Sequence, residues 1–393
     1  MKNLRGTLFP LLSVLLSLAA ICLTLEIILR QMSPERLGYQ LFGRRFDRPQ
    51  EFVRDTTKNS LKFHDEEPLA EPGDRIRIFL VGDSYVDSST TPIPQSLGPQ
   101  LEQHLNAELP ASCEVIAMGG SGWGQFAQLR RLKRELPRFR PEIVVTLFLG
   151  MNDVSDDSPQ LRRQLHRNDR RMFRKRPGWT GLRFDDAPLL FFENSELNRF
   201  VSFRIAHLAL SGRRVDGREQ LGFPFDYLVY ATEYDADWIE AWRRKQEILA
   251  TTAAAVREHG GEYLMVSAST PHGVLGQERG VRWLEWSYPA MKQRSWDLDK
   301  PDRLLAEICR ELGIPLLRLE PAFREATAAG ARLHWKHDGH WNAAGNELAA
   351  HLMAEFLLTE SRVLARRASR EADLDSTRTD AAPRSRRLAV NPD

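Results

Sequence analysis

The fold is decided by the stretch Ile76-Arg77-Ile78-Phe79-Leu80-Val81-Gly82-Asp83-Ser84-Tyr85. Its first six residues are apolar except for Arg77, and such a short run predicts a strand that is buried on both faces. A small residue, an acid and a serine follow directly. Open α/β sheets carry their polar functional residues at the carboxyl ends of their strands. The stretch therefore predicts a parallel sheet with a functional serine at its edge.

Strand and helix patterns alternate along most of the remaining chain. The predicted strands are Ile76–Val81, Glu114–Met118, Glu142–Leu149, Glu262–Ser267 and Pro315–Leu319. The predicted helices are Gln95–Leu109, Phe126–Glu135, Ala236–His259, Pro301–Leu312 and Ala343–Leu358. Alternation of this kind is typical of a parallel sheet covered by helices on both faces. We expect an α/β protein, a flavodoxin-like three-layer sandwich with about five parallel strands.

Two later segments complete a constellation of chemically useful side chains. Asn152 follows the strand that ends near Leu149, and Asp338 and His340 precede the last predicted helix. A serine hydroxyl becomes nucleophilic when a neighbouring base takes its proton, and His340 is the best candidate for that base. Asp338 is placed to orient the imidazole. The backbone N–H groups of Ser84 and Gly122 and the side chain of Asn152 are candidate oxyanion donors.

These blocks resemble the SGNH hydrolases, also called GDSL-type esterases, over roughly residues 75 to 358. Ser84 matches the family's serine, Gly122 in Met118-Gly119-Gly120-Ser121-Gly122 its glycine, Asn152 its asparagine, and Asp338 and His340 its last block. The resemblance implies an SGNH hydrolase fold, a serine-dependent esterase and no cofactor. It also implies the assignment of Ser84, Asp338 and His340 as catalytic residues, with Ser84, Gly122 and Asn152 as the oxyanion hole.

Three positions depart from the family pattern. Tyr85 replaces the usual leucine of the first block, which we expect to matter little, and Ala117 stands where the second block often has asparagine. The last block has the spacing Asp-x-His in place of the common Asp-x-x-His. The shorter spacing leaves open whether Asp338 or another carboxylate orients His340.

Two other motifs in the sequence suggest different chemistry. Ser121 lies in a glycine-rich stretch, but Trp123 occupies the last position of a Gly-x-Ser-x-Gly elbow, which argues against that motif. The group His334, His337, Asp338 and His340 suggests a metal site as an alternative. A metal site would leave the serine and glycine blocks unexplained, so we expect none.

Composition limits the classes of function. The chain has 393 residues, 42% hydrophobic and 27% charged, which is ordinary for a globular protein. A formal net charge of +2 gives no case for nucleic-acid binding. The three cysteines are too few for a disulfide framework, and we expect Cys113 and Cys309 to be buried as small apolar residues.

The N-terminal segment, residues 1–30, is predicted to be a signal anchor. Leu8–Leu29 is apolar except for Glu26 and a few hydroxyl residues, and it has about the length that a membrane-spanning helix needs. The basic residues after it (Arg30, Arg36, Arg44 and Arg45) outnumber those before it (Lys2 and Arg5), and by the positive-inside rule this would keep the enzyme in the cytoplasm. Large domains are translocated largely regardless of charge, and the family resemblance favours export. We therefore expect the catalytic domain outside the cytoplasm, anchored to a membrane.

The remaining boundaries follow from composition. Residues 31–74 are predicted to form a juxtamembrane linker and residues 75–360 the catalytic domain. Residues 361–393 are predicted to be a disordered tail. An insertion at about 154–235 is predicted to form a lid or wall beside the site. It carries a basic run between 162 and 176, which is either a solvated face or a contact for anionic lipid or polymer. A second insertion, Pro271–Lys300, is aromatic; its rings either bind sugar or acyl groups or pack as an ordinary loop.

The sequence thus predicts an esterase that forms an acyl-enzyme and acts on an acylated small molecule, glycan or lipid. One alternative is an O-acyltransferase, in which a sugar hydroxyl replaces water, because the same residues serve both reactions. An alternative of another class is a membrane-anchored glycan-binding or assembly factor with a vestigial site. The completeness of the serine, glycine, asparagine and histidine blocks argues against that last reading.

Overall fold

The computed structural model describes residues 2–31, 52–109, 113–172, 214–215, 218–219, 221–336 and 338–369. The helices are α1 (Lys2–Gln31), α2 (Ser84–Asp87), α3 (Leu97–Glu108), α4 (Gln125–Phe139), α5 (Asp153–Asp157), α6 (Pro159–Met172), α7 (Ala236–Glu258), α8 (Gln277–Ser287), α9 (Lys300–Leu312), α10 (Glu320–Ala328) and α11 (Ala343–Glu360). The strands are β1 (Ile76–Gly82), β2 (Cys113–Gly119), β3 (Ile143–Phe148), β4 (Arg214–Val215), β5 (Arg218–Glu219), β6 (Glu262–Ser267) and β7 (Leu316–Arg318).

The centre of the fold is a five-stranded sheet with the order β2-β1-β3-β6-β7, and all its neighbouring strands are parallel. β4 and β5 form a separate antiparallel pair. The five predicted strands are the five strands of the sheet, and no strand end differs from the prediction by more than one residue. The prediction of an α/β fold around a parallel sheet is confirmed.

The two faces of the sheet carry two apolar cores. Along β1, Phe79 and Val81 belong to the core that also contains side chains of α4, α7 and α9. Ile78 and Leu80 point the other way, into the core formed with α3, α10 and α11. Successive side chains of a strand leave opposite faces, so a strand buried on both sides is apolar throughout. For this reason the apolar sequence of β1 alone predicts that the strand is buried on both faces.

Arg77, the charge inside β1, is buried at 4% exposure. Its Nε donates to Glu114 at 2.7 Å, and Glu114 is its register partner on β2. The two other guanidinium nitrogens donate to the carbonyls of Phe139 at 3.2 Å and Leu69 at 2.9 Å. A buried charge is tolerated when it is paired and hydrogen-bonded in this way.

The predicted linker, 31–74, includes a segment that packs on the sheet domain. Leu61 and Phe63 are buried in the core on the α4 side of the sheet. The ring nitrogens of His64 lie 3.0 Å from the carbonyls of Thr57 and of Thr91. Asp65 accepts a hydrogen bond of 2.7 Å from the backbone N–H of Ala117, on edge strand β2. The segment therefore covers the β2 edge of the sheet.

The stretch Leu8–Leu29 lies within α1, so its helical conformation agrees with the prediction. Among the residues that the structure describes, no helix combines the length and the apolar character that crossing a membrane requires. The prediction of a transmembrane anchor is therefore not supported.

Several other predictions concern residues outside the described ranges. The aromatic group of the first insertion (Trp179, Phe184, Phe191 and Phe192), the basic residues 174–176 and the tail beyond residue 369 all lie there. The prediction of a lid therefore stays a prediction. In the second insertion Trp283, Tyr288 and Trp296 are buried in the core, and Trp286 is 46% exposed. Ordinary packing accounts for those three buried rings. Cys113 and Cys309 are buried, as expected.

Candidate active site

Ser84 is the first residue of α2, directly after β1. Asp83 caps this short helix, because its carboxylate accepts a 2.9 Å hydrogen bond from the backbone N–H of Tyr85. Aspartate is one of the residues favoured at a helix N-cap, because its carboxylate can accept such a bond. α2 packs closely on β2: a Cβ at Gly119 would lie 1.9 Å from the backbone nitrogen of Asp87, so only glycine fits there.

The structure brings the three residues predicted for catalysis together. The Ser84 hydroxyl lies 2.8 Å from Nε2 of His340. On the other side of the ring, Nδ1 of His340 donates to Oδ1 of Asp338. The hydrogen bond to Asp338 leaves Nε2 as the acceptor for the serine proton. The short Asp-x-His spacing left open which carboxylate contacts His340. In the structure, Asp338 itself reaches the imidazole.

The loop between these two residues depends on Gly339. Its φ of 85° lies in the left-handed region, which glycine adopts without strain. Its N–H donates to the carbonyl of Trp335 at 3.1 Å, and the N–H of Trp335 donates to the carbonyl of His340 at 2.8 Å. The turn closed by these bonds presents the carboxylate and the imidazole on the same side.

The predicted oxyanion donors lie on neighbouring loops. Ser84 follows β1, Gly122 follows β2 and Asn152 follows β3, and these three strands are adjacent in the sheet. Gly122 has a φ of 72°. Because the strands are parallel, the three loops leave the same edge of the sheet. Sheet order thus puts the three predicted donors at one edge.

Asn152 has a partner that the sequence did not suggest. Its side-chain nitrogen donates to Oδ2 of Asp156 at 3.2 Å, one helical turn further along. An amide nitrogen carries two N–H groups, so one remains for another acceptor. Burial raises the pKa of Asp156 to about 7, while the charge of Arg162 opposes the rise.

Buried charges lie beneath this loop. Lys245 of α7 is fully buried and donates to Asp157, to Oε1 of Gln125 and, at 3.0 Å, to the carbonyl of Asp153. Gln125 in turn donates to the carboxylate of Asp153 at 2.8 Å. The same carboxylate oxygen accepts from the N–H of Leu149 at 2.8 Å. The network ties α4, α5 and α7 to the start of the loop that carries Asn152.

Burial also changes the acidity of the two carboxyls beside the motif serine and asparagine. It raises the pKa of Asp83 to about 6, against the lowering effects of its hydrogen bonds and of His340. Burial, helped by the charge of Asp83, raises the pKa of Asp153 well above its usual value. Both carboxyls therefore hold a proton more readily than exposed aspartates do.

The histidines of the alternative metal site point to different partners. Nε2 of His334 lies 3.4 Å from the Ser269 hydroxyl, and burial lowers the pKa of His334 to about 3. Both ring nitrogens of His340 are used by Ser84 and Asp338. His337 lies outside the described residues, and among those described no three acidic, histidine or cysteine side chains are grouped to hold a metal ion.

Three residues of the site were missed or undervalued by sequence reasoning: Tyr85, Asp156 and Lys245. Asp156 was detectable, since residues i and i+4 on a helix lie one above the other and Asn152 stands at the start of α5. Lys245 had no local signal, because its partners lie 88 to 120 residues away. Tyr85 was seen only as a departure from leucine.

A serine, a histidine and an aspartate in hydrogen-bonded series at the carboxyl edge of a parallel sheet define the serine-hydrolase class of site. The profile of the GDSL-like Lipase/Acylhydrolase family matches residues 80–348, and the chain belongs to that family. It is an ester-hydrolysing enzyme. No curated protein matches the sequence.

The solved structures to which the chain is similar share little sequence with it. One is LAE5, an alpha/beta hydrolase from the metagenome of Lake Arreo, Spain, at 14% identity, covering 72% of this chain and 94% of that one with a TM-score of 0.40. The acetyl xylan esterase AlAXEase shares 12% identity, with coverages of 71% and 98% and a TM-score of 0.38. TesA shares 15% identity, with coverages of 72% and 97% and a TM-score of 0.37. Scores this low carry no weight, and the assignment rests on the family match.

Proposed function

We propose that the protein hydrolyses carboxylic esters through a covalent acyl-enzyme on Ser84. The observation that carries this proposal is the series of hydrogen bonds from Ser84 to His340, at 2.8 Å, and from His340 to Asp338. The family match supports the reaction class independently of that geometry.

In the first half of the reaction, the Ser84 oxygen attacks the ester carbonyl carbon and its proton passes to Nε2 of His340. The carbonyl π bond becomes a tetrahedral oxyanion. When the carbon–oxygen bond to the alcohol breaks, the same proton leaves with the alcohol and an acyl-Ser84 ester remains. Asp338 stabilises the imidazolium that exists between these two events and holds the ring in position.

In the second half, water replaces the alcohol. His340 takes a proton from the water, the hydroxide adds to the acyl carbon, and collapse of the oxyanion returns the proton to the serine oxygen and releases the acid. The N–H groups of Ser84 and Gly122 and the amide of Asn152 are the donors proposed for both oxyanions. Their loops follow the neighbouring strands β1, β2 and β3.

Labelling with a fluorophosphonate tests the mechanism before the substrate is known. The wild-type protein should become covalently modified at Ser84, while Ser84→Ala should stay unlabelled and keep its fold. Ser269→Ala is the matched control, since Ser269 is a fully buried serine on the same sheet edge that bonds to Trp341 at 3.0 Å. Failure of wild type to label would contradict the proposal and favour a binding protein with a vestigial site. Equal labelling of Ser84→Ala would also contradict it, because the nucleophile would then be another residue.

The substrate class proposed is an acylated small molecule, glycan or lipid. A panel of p-nitrophenyl esters of increasing chain length, together with acetylated sugars, identifies the acyl group that the enzyme accepts. Adding a free sugar as acceptor separates the two outcomes of the acyl-enzyme: hydrolysis gives the acid alone, whereas transfer gives a new sugar ester.

We also propose that the enzyme acts outside the cytoplasm, with α1 at a lipid surface. Exposed large apolar side chains are concentrated on α1, including Leu16, Leu23 and Ile27, each more than half exposed. Such a surface is expected to seek an apolar environment. Fractionation of the native host tests this location. Recovery of the full chain from cytoplasm free of membranes would contradict it.

A further inference from the structure

Tyr85, the residue after the proposed nucleophile, contacts the loop that carries the proposed base. Its side chain is 4% exposed, and its hydroxyl donates a 3.0 Å hydrogen bond to the carbonyl oxygen of Gly339. Gly339 is the single residue between Asp338 and His340. The Tyr85 side chain therefore binds the backbone between Asp338 and His340, although Tyr85 and Gly339 are 254 residues apart in the sequence.

The ring of Tyr85 adds a second contact to the same loop. Its centroid lies 5.0 Å from that of His340, and it meets Trp341 edge-on at 4.8 Å. Aromatic pairs whose centroids lie at these separations attract one another. The tyrosine thus supports one side of the imidazole through its ring and anchors the preceding peptide through its hydroxyl.

Two departures from the family pattern meet at this contact. The last block is one residue shorter than the common form, and the first block has tyrosine in place of leucine. A leucine at position 85 could pack against the loop but has no donor for the Gly339 carbonyl. We infer that Tyr85 is a positioning residue: its hydroxyl fixes the short Asp338-Gly339-His340 turn and so aims His340 at Ser84.

The Tyr85 hydroxyl remains a hydrogen-bond donor at neutral pH. Burial raises the pKa of Tyr85 well above its ordinary value, so the hydroxyl keeps its proton. Gly339 itself has a φ of 85°. Its turn is closed by the hydrogen bonds that join Trp335 to Gly339 and to His340. Removing the hydroxyl leaves that carbonyl without its donor from Tyr85.

This inference rests on the proposed function, and Tyr85→Phe tests it. The change removes one oxygen and keeps the ring. We expect kcat for p-nitrophenyl acetate, and the rate of fluorophosphonate labelling of Ser84, to fall by about 10-fold to 100-fold, because small misplacements of catalytic groups have effects of that size. KM should stay within about twofold, since the hydroxyl faces the loop. Tyr85→Leu should show at least the same loss.

Tyr263→Phe is the matched control. Tyr263 is also a buried tyrosine, and its hydroxyl is hydrogen-bonded to Thr146 at 2.7 Å inside the sheet, away from the three loops of the site. It should leave kcat per folded molecule unchanged, with the folded fraction measured by circular dichroism. A loss of rate shared equally by both phenylalanine variants would mean that Tyr85 serves only stability.

A double-mutant cycle separates positioning from other effects. If Tyr85 acts through the turn, Tyr85→Phe should have little further effect once Asp338→Asn has removed the acid. Persistence of the full effect in the Asp338→Asn background would overturn the inference, as would an unchanged kcat in Tyr85→Phe alone. Absence of Ser84 labelling in wild type would instead contradict the proposed function, so the two failures are distinguishable.

Discussion

Lys245→Met should be among the most destabilising single changes in this protein. The Lys245 side chain is fully buried, and its three N–H donors match three acceptors: Asp157, Gln125 and the carbonyl of Asp153. Methionine has nearly the same length but removes every donor. The Asp157 carboxylate, 3% exposed, would then be buried without its cation.

The size of the effect follows from that unpaired carboxylate. Removing one partner of a buried ion pair costs about 3–5 kcal/mol of unfolding free energy. Asp157 keeps one compensating bond, from the N–H of Phe126 at 3.0 Å, so we expect the lower part of the range, about 3–4 kcal/mol. For a domain spanning residues 75–360 the change corresponds to a fall in Tm of roughly 5–7 °C.

Thermal and urea unfolding followed by circular dichroism measure this loss. Arg243→Met is the control, because Arg243 precedes Lys245 on α7 by two residues and pairs only with exposed glutamates at 51% and 59% exposure among the described ion pairs. Its Tm should change little. Lys245→Met combined with Asp157→Leu should recover much of the loss, since no charge is left unpaired. A wild-type Tm for Lys245→Met, or a double variant less stable than the single one, would refute the reasoning.

Two further predictions concern the oxyanion loop and the covered sheet edge. Asn152→Ala should lower kcat by roughly two to three powers of ten with KM nearly unchanged, the usual effect of losing one oxyanion donor; a rise in KM alone would identify Asn152 as a binding residue. Burial raises the pKa of Asp65 from 3.8 to about 8. The folded chain therefore keeps a proton that the unfolded chain releases, and stability falls as the pH rises from about 4 to about 8. Asp65→Asn should raise the urea midpoint at pH 8 relative to wild type, and an identical pH slope in both proteins would contradict this.

The parts of the fold that were predictable from sequence are those with a local signal. β6 was predicted with its observed ends, Glu262–Ser267, because an apolar run buried on both faces is recognisable without its neighbours. α8 and α10 were missed. α10 begins with Glu320-Pro321, and a proline in the first turn of a helix is easily read as a loop residue. α8 lies in the segment Pro271–Lys300, which the sequence predicts to be an aromatic insertion, although Trp283 of this segment is part of the core.

In the candidate site, too, the residues with a local sequence signal could be predicted and the long-range contacts could not. Ser84, Asn152 and His340 were found because each lies in a short motif after a strand or before a helix. The contacts that orient them were not found, since Tyr85 meets Gly339 across 254 residues and Lys245 meets Gln125 across 120. No pattern within either segment encodes such a contact; it exists only once the sheet has set the positions of the loops. Tyr85 could be seen in the sequence as a departure from leucine, but its contact with the Gly339 carbonyl could not be predicted from the sequence.

The acidic side chains of the site show why composition alone is a poor guide to its electrostatics. Asp83, Asp153 and Asp156 lie beside or within the loops proposed to stabilise an oxyanion, and three full negative charges there would oppose the reaction. Burial works against that charge: it raises the pKa of Asp83 to about 6 and of Asp156 to about 7, and raises that of Asp153 well above its usual value. Each carboxyl is therefore more often protonated near neutral pH than an exposed aspartate. The same burial that shapes the three loops also reduces the charge they would otherwise direct at the developing oxyanion.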